Sequence, residues 1–283
     1  MIRIAIQAKG RLNESSLALL NNVGMDIDDT KRKYLAKSQA FPLEVLYLRD
    51  DDIPETVFSG AADIGIVGYN EVVERGFDLK VEQKLAFGQC RLSLAIPKSE
   101  QYPGPQYFEG KRIATSYPRI LKRYLEENKI NAEIHEIAGS VEIAPSIGVS
   151  DAIFDIVSSG GTLVQNALKE VEVVLESQTV LVSSPCVDPE KRALLEQLKF
   201  RFQSIIDAKG KKYLLMNIPT SSVEDAIRII PAMRSPTVMP LALEGWSSLH
   251  SVVNEKDLWD KVEQLRKIGA EGILVLDLEK III

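Results

Sequence analysis

The chain has 283 residues, enough for two or three domains and for a large apolar core that needs no covalent staples. Lys plus Arg is 34 and Asp plus Glu is 40, a net charge of −6, with 45% hydrophobic residues. That balance is ordinary for a globular protein and argues against general nucleic-acid binding or docking on an anionic membrane, while leaving room for a local basic pocket.

Residues 2–7 read as a buried strand and 12–23 as a helix with Leu12, Leu17, Leu19 and Leu20 near one face. A strand at 43–48 follows, then Asp50-Asp51-Asp52-Ile53-Pro54. Acids in the first turn and a proline near the first helical positions start a helix that stops at Gly60. Strands are expected at 63–67, ended by Gly68, at 91–96, stopped by Pro97, and at 111–115. A charged helix spans 118–128. A strand at 152–157 leads into Ser-Ser-Gly-Gly-Thr and a helix to about residue 170. Alternation at this spacing predicts βα units and a mostly parallel sheet. A long helix over 189–208 is capped by Asp188 with Pro189 in its first turn.

Lys-Gly-Lys-Lys at 209–212 reads as a linker. Beyond it, strands at 213–218, 238–242, 248–253 and 272–276 and helices at 223–230 and 256–268 give β-α-β-β-α-β, a ferredoxin-like unit. The first 208 residues are long for one sheet. Two α/β lobes around a cleft fit better, with residues 1–91 and 181–208 forming one lobe, 92–180 the second, and 209–283 a separate domain.

Cys90 and Cys186 are too few and too far apart for a disulfide framework or a CxxC site. His135 and His250, the only histidines, lie in separate segments, so neither a zinc site nor a Ser-His-Asp triad is expected. The opening MIRIAIQAKG carries Lys9 and no apolar core of a signal peptide, and no stretch approaches the roughly 18 apolar residues of a membrane span. A cytoplasmic protein is the expectation.

The most informative segment is Asp155-Ile156-Val157-Ser158-Ser159-Gly160-Gly161-Thr162-Leu163. An apolar strand delivers the chain to a loop of small residues that opens into a helix. Gly160 and Gly161 allow close backbone approach, Ser158, Ser159 and Thr162 offer hydroxyls, and the free N–H groups of a helix start favour an anion. The same pattern also suits a plain strand-to-helix turn. Asp155, with Glu142 upstream, would serve ribose hydroxyls or a magnesium ion, or simply face solvent. Lys9, Arg11, Arg49 and Arg119 fall where strands end, the edge where open α/β sheets gather ligands. Arg and Lys there suit a polyanion, or form surface ion pairs. Asp63-Ile64-Gly65-Ile66-Val67-Gly68 is a buried strand whose glycines ask for close backbone approach.

Glu142, Gly148, Ser150, Ile153, Asp155, Ser159-Gly160 and Thr162-Leu163 match, without a gap, the signature of the ATP phosphoribosyltransferase family. Lys9-Gly10-Arg11-Leu12, Leu48-Arg49 with Asp52-Ile53-Pro54, the 63–68 strand, and Arg234-Ser235-Pro236-Thr237 with Pro240-Leu241 also resemble it. The C-terminal unit resembles the long form, which carries its own regulatory domain. The resemblance implies a type II periplasmic-binding-protein-like pair of lobes for 1–208 and an ACT-like regulatory domain. It implies condensation of ATP with 5-phosphoribosyl 1-pyrophosphate, the first step of histidine biosynthesis, with magnesium, feedback inhibition by L-histidine and a dimer-to-hexamer equilibrium.

Its site residues map as follows. Ser158, Ser159, Gly160, Gly161 and Thr162 would bind the 5′-phosphate of the ribosyl donor, and Asp155 its ribose hydroxyls. Glu142 or Asp155 would stand near magnesium. Lys9, Arg11 and Arg49 would meet the phosphates of ATP or pyrophosphate, with Arg32 reaching an adjacent active site. Asn217, Ser235, Thr237 and Gly272 would line the effector pocket, Asn217 being uncharged where some relatives carry an acid. The competing readings are a cytoplasmic small-anion binding protein on the same scaffold, a sensing domain of a transcription regulator, and another transferase on a similar fold.

Overall fold

A computed structural model describes residues 1–27, 35–230 and 235–283, so Arg32 and Arg234 lie outside the described residues. The chain divides into two compact units, Met1–Lys199 and Phe200–Ile283.

The first unit contains β1 (Ile2–Gln7), α1 (Arg11–Asn22), β2 (Leu35–Lys37), β3 (Leu43–Leu48), α2 (Ile53–Phe58), β4 (Ile64–Gly68), α3 (Tyr69–Arg75) and β5 (Lys80–Lys84). It continues through β6 (Cys90–Pro97), β7 (Arg112–Thr115), α4 (Pro118–Glu127), β8 (Glu133–Glu136), β9 (Ala152–Val157), α5 (Gly161–Gln165), β10 (Leu168–Ser177) and β11 (Thr179–Ser183). Helix α6 (Pro189–Ala208) begins in this unit, and the division between units falls inside it, at 199/200, rather than at the Lys-rich run.

The strands build two sheets, β2-β3-β1-β4-β11-β5 and β10-β6-β9-β7-β8. The chain leaves the first sheet after β5, builds the second, and returns at β11. Each sheet carries its own apolar core. Ile2, Ile4, Ala5 and Ile6 of β1 are fully buried, as are Leu92, Leu94 and Ile96 of β6 with Phe154 of β9.

The expected mostly parallel sheet is corrected to a mixed one. β1 runs parallel to β3 and β4, and β7 parallel to β8 and β9. The pairs β2–β3, β4–β11, β5–β11, β6–β9 and β6–β10 are antiparallel. The reason is that β6 and β11 are reached by short direct crossings between the sheets; β10, reached from β9 through α5, runs in the direction of β9 and is antiparallel only to β6, which lies between them. The expected helix to residue 170 is also corrected. α5 stops at Gln165, Ala167 takes a left-handed φ of 55°, and β10 follows as a valine-rich strand.

The glycine of the Asp63–Gly68 segment finds its partner in the protein itself. A Cβ on Gly65 would stand 2.8 Å from Ile53 Cγ2 and 3.0 Å from Val57 Cγ2, so it is α2 that approaches the strand there.

The second unit holds β12 (Lys211–Pro219), α7 (Val223–Ile229), β13 (Thr237–Pro240), β14 (Trp246–Asn254), α8 (Leu258–Lys267) and β15 (Glu271–Asp277). Its antiparallel sheet has the order β13-β14-β12-β15, the βαββαβ pattern expected. Alternation along β12 sends Leu214, Met216 and Ile218 into a core with Ala226 and Ile230, Leu258 and Leu265. Lys211 and Lys212 are already strand residues, so the linker reading at 209–212 holds only for its first half. Among the described residues no helix is long and apolar enough to cross a membrane.

Candidate active site

Parallel pairing of β1 with β3 brings their carboxyl ends side by side. Gln7 stands opposite Leu48, and the Ala8 N–H donates to the Leu48 carbonyl at 2.7 Å. Lys9, Gly10 and Arg11 therefore leave the sheet next to Arg49, all exposed at one edge. Arg49 lies against Asp51, with Nε to Oδ1 at 3.1 Å and Nη2 to Oδ2 at 3.2 Å. The hydrogen bonds to that carboxylate raise the guanidinium further above its ordinary value. Arg75 reaches the same Asp51 oxygen at 3.0 Å.

In the second sheet, β9 carries Asp155 toward the carboxyl edge. Its Oδ1 accepts the Ile156 N–H at 2.8 Å. Burial pushes its carboxyl up to about 6 against that hydrogen bond, and the nearby charge of Glu142 pushes in the same direction. Glu142 sits in a short 3-10 turn, Val141–Ile143, and is partly exposed. The structure thus brings Glu142 and Asp155 together, two carboxylates with one of them costly to ionise.

After β9 the loop turns at Gly160, which takes φ 79° and ψ 0° immediately before α5. A side chain there would be strained, so glycine is required by the backbone. Ser158, Ser159, Gly161 and Thr162 are exposed, and the Ser158 carbonyl is held by Arg91 Nη1 at 3.2 Å. α5 has no side-chain cap of its own.

A cavity of about 1000 Å³ opens between the two sheets' ends, lined among others by Arg49, Glu71, Arg75, Tyr117, Arg119 and Gly139. Of the residues singled out in sequence, Arg49 and Arg119 line it. Asp155 does not line it; the hydroxyl of Tyr117, which does, is pushed well above its ordinary range by burial first, then by Glu71, with a smaller push from the charge of Asp155. Lys9, Arg11, Glu142 and the 158–162 loop are not part of its lining.

Sequence reasoning missed Glu71, Glu74 and Tyr117. The Tyr117 hydroxyl donates to Glu71 Oε1 at 3.0 Å. Burial raises the Glu71 carboxyl to about 7, and Asp50 pushes the same way. The patterning between the strand ended by Gly68 and the strand at 91–96 singles out neither acid, because what marks them is burial against Tyr117 and the start of α4, far away in the chain.

In the second unit Asn217 of β12 stands opposite Ser248, and Thr237 of β13 opposite His250. Ser248 and His250 are two residues apart on β14, so Asn217 and Thr237 share one face of the sheet. A Cβ on Gly272 would stand 3.4 Å from Asn217 Nδ2. Ser235 Oγ donates to the Pro236 carbonyl at 3.3 Å. On the same face His250 Nδ1 meets the Tyr213 hydroxyl at 2.7 Å and Nε2 meets Ser248 Oγ at 3.1 Å.

The family model described as ATP phosphoribosyltransferase matches residues 49–204, and the one described as the HisG C-terminal domain matches 208–280. The chain is 54% identical over 283 residues to an ATP phosphoribosyltransferase of Bacteroides thetaiotaomicron, covering all of both chains. It is 50% identical over 282 residues to one of Cytophaga hutchinsonii, covering all of this chain and 99% of that one. Among solved structures, the ATP phosphoribosyl transferase (HisG:HisZ) complex of Thermotoga maritima superposes with a TM-score of 0.63 at 30% identity. That match covers 72% of this chain and 96% of the other. A substrate binding protein of an amino acid ABC transporter shares the fold alone, with a TM-score of 0.50 at 11% identity, over 73% of this chain and 93% of that one.

Proposed function

The chain belongs to the ATP phosphoribosyltransferase family, and we propose how its first unit carries that reaction and its second restrains it. The enzyme condenses ATP with 5-phosphoribosyl 1-pyrophosphate, giving N1-(5-phosphoribosyl)-ATP and pyrophosphate, the first step of L-histidine biosynthesis.

The chemistry asks little of a protein nucleophile. Adenine N1 attacks the anomeric carbon, the carbon–oxygen bond to pyrophosphate breaks, and the bonding pair leaves with pyrophosphate. What the protein must supply is alignment of two polyanions and stabilisation of the departing charge. A chain with two histidines and two cysteines can do this. Ser158 through Thr162 hold the 5′-phosphate with hydroxyls and backbone N–H groups. Asp155 holds the ribose hydroxyls beside the carbon whose positive charge grows. Lys9, Arg11 and Arg49 neutralise the phosphates of ATP or the leaving pyrophosphate.

Glu142 and Asp155 are the donors suited to magnesium. Among the described residues no group of three or more side chains is arranged to hold a metal alone. One or two carboxylates beside a polyphosphate are the set magnesium ordinarily takes, and bound there it would neutralise the pyrophosphate.

The observation that supports this reading is the run from β9 through the left-handed Gly160 turn into the uncapped start of α5, with Asp155 on β9 just ahead of it. Steady-state kinetics test it. Arg49→Ala should raise the KM for ATP about tenfold, the scale of one lost charge-assisted contact, and leave the KM for the ribosyl donor within twofold. Thr162→Val should do the reverse. Equal effects on both substrates would refute the division of roles.

The second unit takes L-histidine as feedback inhibitor through Asn217, Ser235, Thr237 and Gly272. What supports this is the shared face of Asn217 and Thr237 and the proximity of Gly272 to Asn217. A homo-oligomer running from dimer to hexamer in the cytoplasm completes the reading; the Thermotoga relative is itself described as a complex.

A further inference from the structure

Helix α4 has no cap of its own. Its cap residue is Tyr117, whose side chain makes no capping bond, and its first turn holds Arg119 and no acid. That is the wrong charge for the positive end of a helix. The missing anion comes from α3, on the other sheet's side of the unit. Glu74 Oε1 accepts the Arg119 N–H at 2.9 Å and Oε2 accepts the Ile120 N–H at 3.0 Å. The Arg119 guanidinium donates back to the carbonyl of Arg75, the last residue of α3.

One turn earlier the link repeats. Glu71 accepts the Tyr117 hydroxyl at 3.0 Å, and Asn70 Nδ2 donates to the same hydroxyl at 3.3 Å. Five hydrogen bonds therefore tie α3 to the start of α4. Asn70, Glu71 and Glu74 are only 5%, 7% and 7% exposed, so these partners are largely shielded although Glu71 and Glu74 border the cavity.

The other end of α3 is anchored where the chain crosses back between sheets. The Asn70 N–H donates to Ser177 Oγ at 3.0 Å, Ser177 Oγ donates to Asn70 Oδ1 at 2.9 Å, and the Tyr69 N–H donates to the Gln178 carbonyl at 2.9 Å. Ser177 ends β10 in the second sheet and Thr179 begins β11 in the first. One short helix thus spans from the crossing to the rim of the cavity.

We infer that α3 is a strut that sets the opening of the cleft, with Glu74 as the positioning residue that holds α4, and with it Tyr117 and Arg119, against the first sheet's lobe. Parting the lobes uncaps α4 and strips Tyr117 from Glu71, so the closed arrangement is favoured before substrate arrives. Removing Glu74 removes two charge-assisted bonds that parting the lobes would break. The closed-to-open ratio then falls at least about a hundredfold. If that ratio moves from about 10:1 to about 1:10, the competent fraction falls about tenfold and both KM values rise by the same factor.

The kinetic part of the test rests on the proposed catalytic role of the cleft; the exchange part does not. In the full chain, Glu74→Ala should raise the KM for ATP and for the ribosyl donor about tenfold with kcat within twofold, and Glu74→Asp should recover part of the loss. Without substrate, amide hydrogen exchange should quicken both at residues 117–121 and at 69–71, the far end of the strut. Faster exchange confined to 117–121 with unchanged KM values would make Glu74 a local cap and overturn the inference. So would a fall in kcat at constant KM. Should Glu74→Ala not fold, Glu74→Gln, which keeps one acceptor oxygen, carries the same test with a smaller rise. If the wild-type chain shows no turnover, the activity fails and the strut is judged by exchange alone.

Discussion

Replacing Asp155 with Asn should make the protein more stable and a poorer enzyme. The Asp155 carboxyl is raised from 3.8 to about 6 by burial and the neighbouring Glu142 charge. A carboxyl whose folded value lies above its unfolded value is favoured when protonated. Its contribution is fully present below about pH 4 and is lost as pH rises through about 6. At pH 8 the ionised group costs about 2.2 × 1.36, or about 3 kcal/mol; at pH 4.5 the same linkage gives about 1 kcal/mol. Asn keeps an acceptor for the Ile156 N–H and carries no charge. At about 2 °C per kcal/mol for a unit of this size, Tm should rise about 6 °C at pH 8 and about 2 °C at pH 4.5. Turnover should fall at least about a hundredfold, the usual scale for losing a group aimed at developing charge. Scanning calorimetry at the two pH values, paired with kinetics at pH 8, reads both. A variant that is no more stable at pH 8 than wild type would refute the argument that Asp155 is held ionised against its environment.

Three further outcomes follow from the same geometry. Glu82 is 1% exposed in its side chain and bonds Arg192, Ser183 at 2.8 Å, Lys80 at 3.3 Å and Lys199 at 3.3 Å. Burial alone would raise its carboxyl, but these bonds bring it down to about 2. Its contribution of about 3 kcal/mol is present above pH 4.5 and lost as pH falls toward 2, so Glu82→Gln should lower stability by roughly that amount at pH 7, measured by urea unfolding. Gly65→Ala should cost about 1–3 kcal/mol in the same assay, because the new methyl meets Ile53 and Val57. Asn217→Ala should weaken histidine inhibition about tenfold, the scale of a lost polar contact, with kcat unchanged without histidine; an unaltered inhibition curve would remove Asn217 from the effector pocket.

Much of the frame was legible because apolar runs and capping residues are local signals. The bounds of β1, β3, β9 and α6 are those the sequence suggested, since each is a buried run or a helix with Asp188 and Pro189 at its start. β5 and β8 escaped because KVEQK and EIHE carry too few apolar residues to show a period, and only neighbouring strands make them strands. β10 was hidden by its charges; Glu170 and Glu172 look like the outer face of a helix until Arg91 and Tyr102 claim them as partners. The site was legible where backbone geometry demands a residue type, as at Gly160. It was illegible where function rests on burial, as at Glu71 and Glu74, whose partners stand 46 and 45 residues away in the chain. Arg49 forms the ion pair with Asp51 that one reading of it expects, and it lines the cavity, the placement the other reading needs.

The most direct test of the account mixes the purified full-length protein with ATP, 5-phosphoribosyl 1-pyrophosphate and magnesium and follows pyrophosphate release, with mass spectrometry for the adduct. Release that requires both substrates, matched one to one by phosphoribosyl-ATP and suppressed by L-histidine, is the predicted result. Binding of either substrate by folded protein with no pyrophosphate released would contradict it and leave a small-anion binding protein on a two-lobed scaffold.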